Sequence, residues 1–195
     1  MIRKSTEIRQ AQIKKAVLDI ISEEGLHSIS SRNVAKRVGI TDGAIFRHFK
    51  SKPAILKSIM DDVKSGLLAD LRAIASDDGN PESRLYRFLS TNIKYLMQNR
   101  GIAILLYSEA AHLNYKELRN QLHSVLSEQK SLISKIIRDG MKGGNWKKSV
   151  NIDDAAILYM GILIIFNVKL FMAGKDVAVD NYCKRMFNLM EEVLK

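Results

Sequence analysis

An all-α protein is predicted by three features of the chain: apolar residues recurring every three to four positions, the absence of any sustained alternating run, and prolines only at Pro53 and Pro81. About nine helices are expected. An N-terminal three-helix unit ends near residue 54, and a helical C-terminal domain covers residues 55–195. The 195 residues suffice for a real core, at 46% hydrophobic and 27% charged.

The first helix is carried by Ile13, Ala16, Val17, Ile20 and Ile21, one face at i, i+3, i+4, i+7 and i+8. Gly25 ends it, and Ser30 or Ser31 opens a short second helix with Val34, Ala35 and Val38 inward. Gly39 closes that helix, and Thr41 caps a third with Ile45 and Phe49 inward. Ser51 opens a fourth with Pro53 in its first turn, expected to run as one rod to Ile74. Asp77-Asp78-Gly79-Asn80-Pro81 is a loop. The fifth helix covers about Glu82 to Asn99, with Gly101 as its stop, and a short sixth follows to about Ala111. The seventh runs from about Tyr115 to Asp139 and ends at Gly140, Gly143 and Gly144. The eighth covers about Asp153 to Ala173 and the ninth about Asp180 to Leu194. The eighth is apolar on every side, but Asn167 and Lys169 interrupt it, so a buried or interface helix is expected rather than a membrane span.

Charge is concentrated at the N-terminus. The chain carries +10 overall, and residues 1–52 hold 11 basic against 5 acidic side chains. That balance suits a polyanion, nucleic acid or an anionic membrane, and equally a merely solvated basic face. A single cysteine, Cys183, leaves no disulfide within the chain and no cysteine-based zinc site. The start of the chain has no apolar signal core, and a cytoplasmic location is expected. His27, His48, His112 and His123 have no metal-ligand spacing. No nucleophile elbow, phosphate loop or dinucleotide fingerprint is present, so neither enzyme activity nor a cofactor or metal is expected.

Residues 31–49 are two short helices about a glycine turn, the helix-turn-helix layout. Small Ala35 lets the helices cross closely, and Val34, Val38, Ile40, Ile45 and Phe49 form a mini-core. Arg32, Thr41, Asp42, Gly43, Phe46 and Arg47 are left to face a groove.

From Ile13 to Leu56 the chain resembles the TetR family of regulators. The resemblance rests on Ile13, Ala16, Gly25, Val34-Ala35, Val38-Gly39-Ile40-Thr41 and Gly43-x-Ile45-Phe46-x-His48-Phe49-x-Ser51-Lys52. Gly140 to Trp146 is similar to a glycine–aromatic ending of that family's seventh helix. The resemblance implies a homodimeric regulator of transcription that binds double-stranded operator DNA and a small effector. It implies phosphate contacts from Ser31, Thr41, His48 and Lys52, and base reading by Asp42, Gly43 and Arg47. Arg32 can fork onto a guanine edge or a phosphate. Ala44 stands where the family often has a hydroxyl. Phe46 stands where tyrosine is usual, so its ring is left for a sugar or a thymine methyl. Asp42 reads equally as a helix-dipole partner or as an acceptor for cytosine N4, and His48 as a partner for exposed carbonyls. Lys14, Lys15, Lys36 and Arg37 read as a solvated basic face.

The resemblance places a hydrophobic effector among helices five to eight, where Phe88, Tyr95, Leu96, Ile104, Tyr107, His112, Tyr159 and Phe166 are candidates; taken one by one, they read first as ordinary core. Ile157, Met160, Ile164, Phe171, Phe187 and Met190 are candidates for a dimer face on helices eight and nine. The competing reading is a DNA-binding protein of the same type whose second domain binds a protein partner, in an architectural or cell-division role.

Overall fold

A computed structural model describes residues 6–107, 116–173 and 178–195, and on α7 and at the end of α9 some of the side chains lie outside that description. The described residues are helical with turns and no strand. The elements are α1 (Thr6–Glu24), a 3-10 turn (Leu26–Ser28), α2 (Ser31–Val38), α3 (Asp42–Phe46), α4 (Lys52–Ser65), α5 (Leu67–Ser76), α6 (Pro81–Gln98), α7 (Arg100–Tyr107), α8 (Lys116–Lys142), α9 (Ile152–Ala173) and α10 (Val179–Leu194).

The fourth helix is not the single rod expected. It breaks at Gly66, whose φ of −95° and ψ of −85° leave the helical range. Glycine gains least from a helical backbone, and Gly66 sits mid-pattern between the buried Val63 and Leu67. The apolar face continues through Leu67, Leu71 and Ile74, which is why periodicity alone concealed the break. Gly101 is likewise not a helix stop. The chain turns at Asn99, and Gly101 lies inside α7.

The chain forms two compact units. One takes the described residues up to Val63 with those from Asn99 to His123; the other takes Lys64–Gln98 with Ser124–Lys195. In the first, α1 buries Ile13, Ala16, Val17, Ile20 and Ile21 against α2 and α7. Burial of such a face is the main favourable term in folding a unit of this size.

In the second unit, α6 packs on α5, α9 and α10. Asn80 caps α6 by accepting from the Glu82 N–H at 2.7 Å, and Pro81 follows in the first turn, where no N–H is needed. Asn151 caps α9 in the same way, accepting from Asp153 at 2.8 Å. Arg84, 4% exposed, donates to the terminal carbonyls of α5, at Ile74 and Ala75, and to Asp139 of α8 at 3.0 Å. One guanidinium thus answers the end of one helix and ties it to another.

The end of α8 explains its glycine cluster. Gly144 takes φ +81°, its N–H bonds to the Met141 carbonyl, and the Asn145 N–H bonds to the Gly140 carbonyl at 2.9 Å. This turn lays the Trp146 ring over Gly140, where a Cβ would stand 2.1 Å from the ring. No described helix is long and apolar enough to cross a membrane.

Candidate nucleic-acid interface

The first unit builds the helix-turn-helix by local rules. Ser30 is the N-cap of α2, its Oγ accepting from Asn33 N at 3.1 Å, while the Asn33 amide donates to the Ser28 carbonyl. At the other end Gly39 adopts φ 72° and ψ 42°, and the Ile40 N–H bonds to the Ala35 carbonyl at 3.0 Å. That left-handed residue turns the chain sharply between α2 and α3. Val34, Ala35, Ile45 and Phe49 are buried beneath the turn.

α3 lacks a side-chain cap at its start and is tied to α1 just past its end. Thr41 occupies its N-cap position in extended conformation but makes no capping bond through its hydroxyl, which differs from the expected side-chain cap. At the far end, the Gln10 amide of α1 donates to the His48 carbonyl at 3.1 Å. His48 is half-buried, and its Nδ1 has no protein partner. Arg32, Thr41, Asp42, Gly43, Phe46 and Arg47 are all exposed, while Ser31 and Ala44 are half-buried. Phe46 is 55% exposed.

Several nearby cations are already engaged. Lys14 pairs with Asp62, Lys15 with Asp19, and Arg37 with both Glu23 and Glu24. The hydrogen bond and charge of Glu23 hold the Arg37 guanidinium above its usual range. Arg32 and Arg47 have no ion-pair partner among the described residues, so their charge is available to an incoming anion.

Lys52 is half-buried, its ammonium 3.4 Å from the Ile29 carbonyl and 3.5 Å from that of Leu26. Burial lowers its pKa. It borders a cleft of about 190 Å³ with an apolar floor of Val34, Ile45 and Ile55 and a rim of Ser30, Ser31, Phe46 and Ser51. The N-termini of α2 and α4 both open at that rim, and two helix N-termini beside an ammonium suit a phosphate group.

The other predicted sets are divided: Ile104 and Tyr107 are on α7 of the first unit, and the remaining described members are in the second. The Phe88 and Tyr159 rings stand 5.6 Å apart, and the Asn92 amide donates to the Tyr159 hydroxyl at 2.9 Å. Phe166 lies instead against Tyr182 of α10, at 4.8 Å. Leu96 is buried and Tyr95 half-buried. His112 and the side chains of Ile104, Tyr107 and Phe171 lie outside the described residues. Ile157 and Ile164 are exposed and Met160 is half-buried. Phe187 meets Tyr86 edge-on at 5.4 Å, and Met190 is 1% exposed, packed within its own chain. Exposed apolar positions the sequence reading did not single out include Leu158, Ile165, Val168, Met172, Leu189 and Val193. Asn92 and Arg84 were also missed, and Asn167 was noticed only as an interruption of an apolar helix. Their only sequence signal was a polar residue at an inward helical position.

Together these features define a helix-turn-helix DNA-binding protein with a separate helical unit. Residues 13–59 match the model for bacterial regulatory proteins of the tetR family, and residues 62–192 match that for the C-terminal region of YsiA-like protein. The chain belongs to the tetR family of bacterial regulatory proteins, and it is a transcriptional regulator. Among its relatives is the fatty acid metabolism regulator protein of Bacillus subtilis, 24% identical over 152 residues, covering 78% of each chain. The FadR regulator of Bacillus subtilis, solved in complex with stearoyl-CoA, superposes with a TM-score of 0.77 at 20% identity, over 95% of this chain and 99% of that one. The ketosteroid regulator KstR2 of Mycobacterium tuberculosis superposes at 0.83 with 16% identity, over 96% and 95%. At these identities the superpositions establish the shared fold.

Proposed function

We propose that the protein is a dimeric repressor that binds a two-fold symmetric operator and leaves it when a hydrophobic effector of the long-chain acyl-thioester class is bound. Residues 1–54 carry the DNA contacts; residues 55–195 carry the effector site and the dimer face. The observation that carries this reading is the exposed edge of α3: Asp42, Gly43 and Phe46 on a five-residue helix, with Arg47 at its C-cap, while the other side, at Ile45, is buried. Ser31, Thr41, His48 and Lys52 hold the flanking phosphates, Arg32 a base edge or phosphate, and Ala44 lets the helix approach closely. The apolar surface of α9 and α10 supports the dimer. The acyl class is supported by the stearoyl-CoA complex of the Bacillus subtilis regulator.

The test is selection of bound genomic fragments, then fluorescence anisotropy on the recovered operator with and without stearoyl-CoA. The ligand is expected to weaken DNA binding, and the operator to weaken stearoyl-CoA binding by the same factor, about 5–150-fold. Equal ligand affinities with and without operator remove the effector role and leave a constitutive DNA-binding protein.

A further inference from the structure

α9 buries one side of its length, with Ala156, Tyr159, Leu163, Phe166 and Leu170 inward. Asn167 belongs to that side. It is 7% exposed, and neither its Nδ2 nor its Oδ1 has a hydrogen-bond partner. Among the described residues it is the one side chain with both polar atoms buried in this way. The buried amide of Asn92 is the contrast, donating to the Phe88 carbonyl and the Tyr159 hydroxyl. An unanswered buried amide destabilises a fold, and a leucine of similar size would remove that cost.

The direction of Asn167 follows from helix geometry. Asp153, Met160 and Asn167 are seven residues apart and share one line along α9. At the foot of that line Asp153 pairs with Lys130 of α8 at 2.6 Å. α10 occupies the opposite flank, where the Tyr182 hydroxyl donates to the Ile162 carbonyl. Between the two, Tyr159 meets Phe88 of α6. Asn167 therefore lies on the side of α9 away from Ile162, where α10 is bonded.

We propose that Asn167 is the polar anchor of the effector site and holds the thioester end of an acyl-pantetheine; this rests on the reading of the protein as an acyl-thioester-responsive repressor. The carboxamide needs an acceptor for Nδ2 and a donor for Oδ1. A trans secondary amide turns its own C=O and N–H to opposite sides, so one such group cannot answer both atoms. An acyl-pantetheine carries a thioester carbonyl and, a sulfur and two methylenes further on, an amide N–H. A fatty acid carboxylate offers acceptors alone and leaves Oδ1 facing negative charge.

The experiment is calorimetric titration of wild type, Asn167→Leu and Asn167→Ala with stearoyl-pantetheine and with stearate, alongside melting of each ligand-free protein. Asn167→Leu is expected to melt no lower than wild type and to bind stearoyl-pantetheine roughly ten- to hundredfold more weakly, as for two neutral hydrogen bonds, with stearate affinity changed less than about threefold. Unchanged stearoyl-pantetheine affinity in Asn167→Leu overturns the anchor and leaves the repressor reading standing. Melting well below wild type in both variants overturns it as well, by showing a structural amide. Wild type that binds neither probe removes the acyl effector itself, and the anchor with it.

Discussion

The backbones of α7 and α1 touch at Gly101 and Leu18: a Cβ on Gly101 would lie 2.2 Å from the Leu18 carbonyl oxygen and 2.8 Å from its Cα. The absence of a side chain at residue 101 is what allows this approach. Intrinsic helix propensity says that Gly101→Ala should stabilise by up to about 1 kcal/mol. The contact says the opposite, because overpacking against a rigid backbone costs roughly 1–3 kcal/mol. We expect a net loss of stability in urea denaturation. A gain would mean that α7 and α1 separate without cost.

At the DNA face, Lys52→Ala should weaken operator binding and flatten the dependence of log affinity on log salt by about one unit. Arg47→Ala should instead alter the ranking of singly substituted operators, since a good base contact discriminates by about 1–3 kcal/mol. Anisotropy across an operator panel separates the two. A uniform loss across the panel for Arg47→Ala would make it a phosphate contact.

Ile164 is exposed on α9 beside the equally exposed Ile157 and Val168, and a charge there should oppose any apolar face-to-face packing. Ile164→Glu is expected to give monomers with poor operator affinity. Light scattering that still reports the wild-type mass would move the dimer face elsewhere.

Cys183 is fully buried, and that burial pushes its thiol up from 9.0 to about 11. The folded state therefore holds the proton where the unfolded chain has lost it. The stabilising contribution is complete below pH 9 and disappears as pH rises toward 11, amounting to roughly 2–3 kcal/mol at most. Between pH 9 and 11 the stability of wild type should fall more steeply than that of Cys183→Ala, as read from urea midpoints. Parallel curves would show that the thiol does not titrate differently on folding.

Much of the protein is written in local chemistry. Helical spacing placed Ile13, Ala16, Val17, Ile20 and Ile21 inward, and Gly39 with Ser30 bounded α2, because a cap or a left-handed turn needs only the residues beside it. The exposure of Asp42, Gly43, Phe46 and Arg47 was legible for the same reason: around so short a helix, burying Ile45 leaves most neighbouring positions outward. What the sequence could not decide were relations between residues far apart in the chain. Gly66 and Gly101 look alike in a string, yet one breaks a helix and the other seats a helix against a carbonyl 83 residues earlier. Met190 and Ile164 are both apolar and both fit an interface pattern, but only the packing of the helices leaves the first buried and the second exposed. Arg84 and Asn167 are both polar residues at inward positions. The tertiary fold supplied Arg84 with Asp139 and two carbonyls and supplied Asn167 with nothing, since hydrogen-bond partners are set by which helices come together and not by the spacing along any one of them.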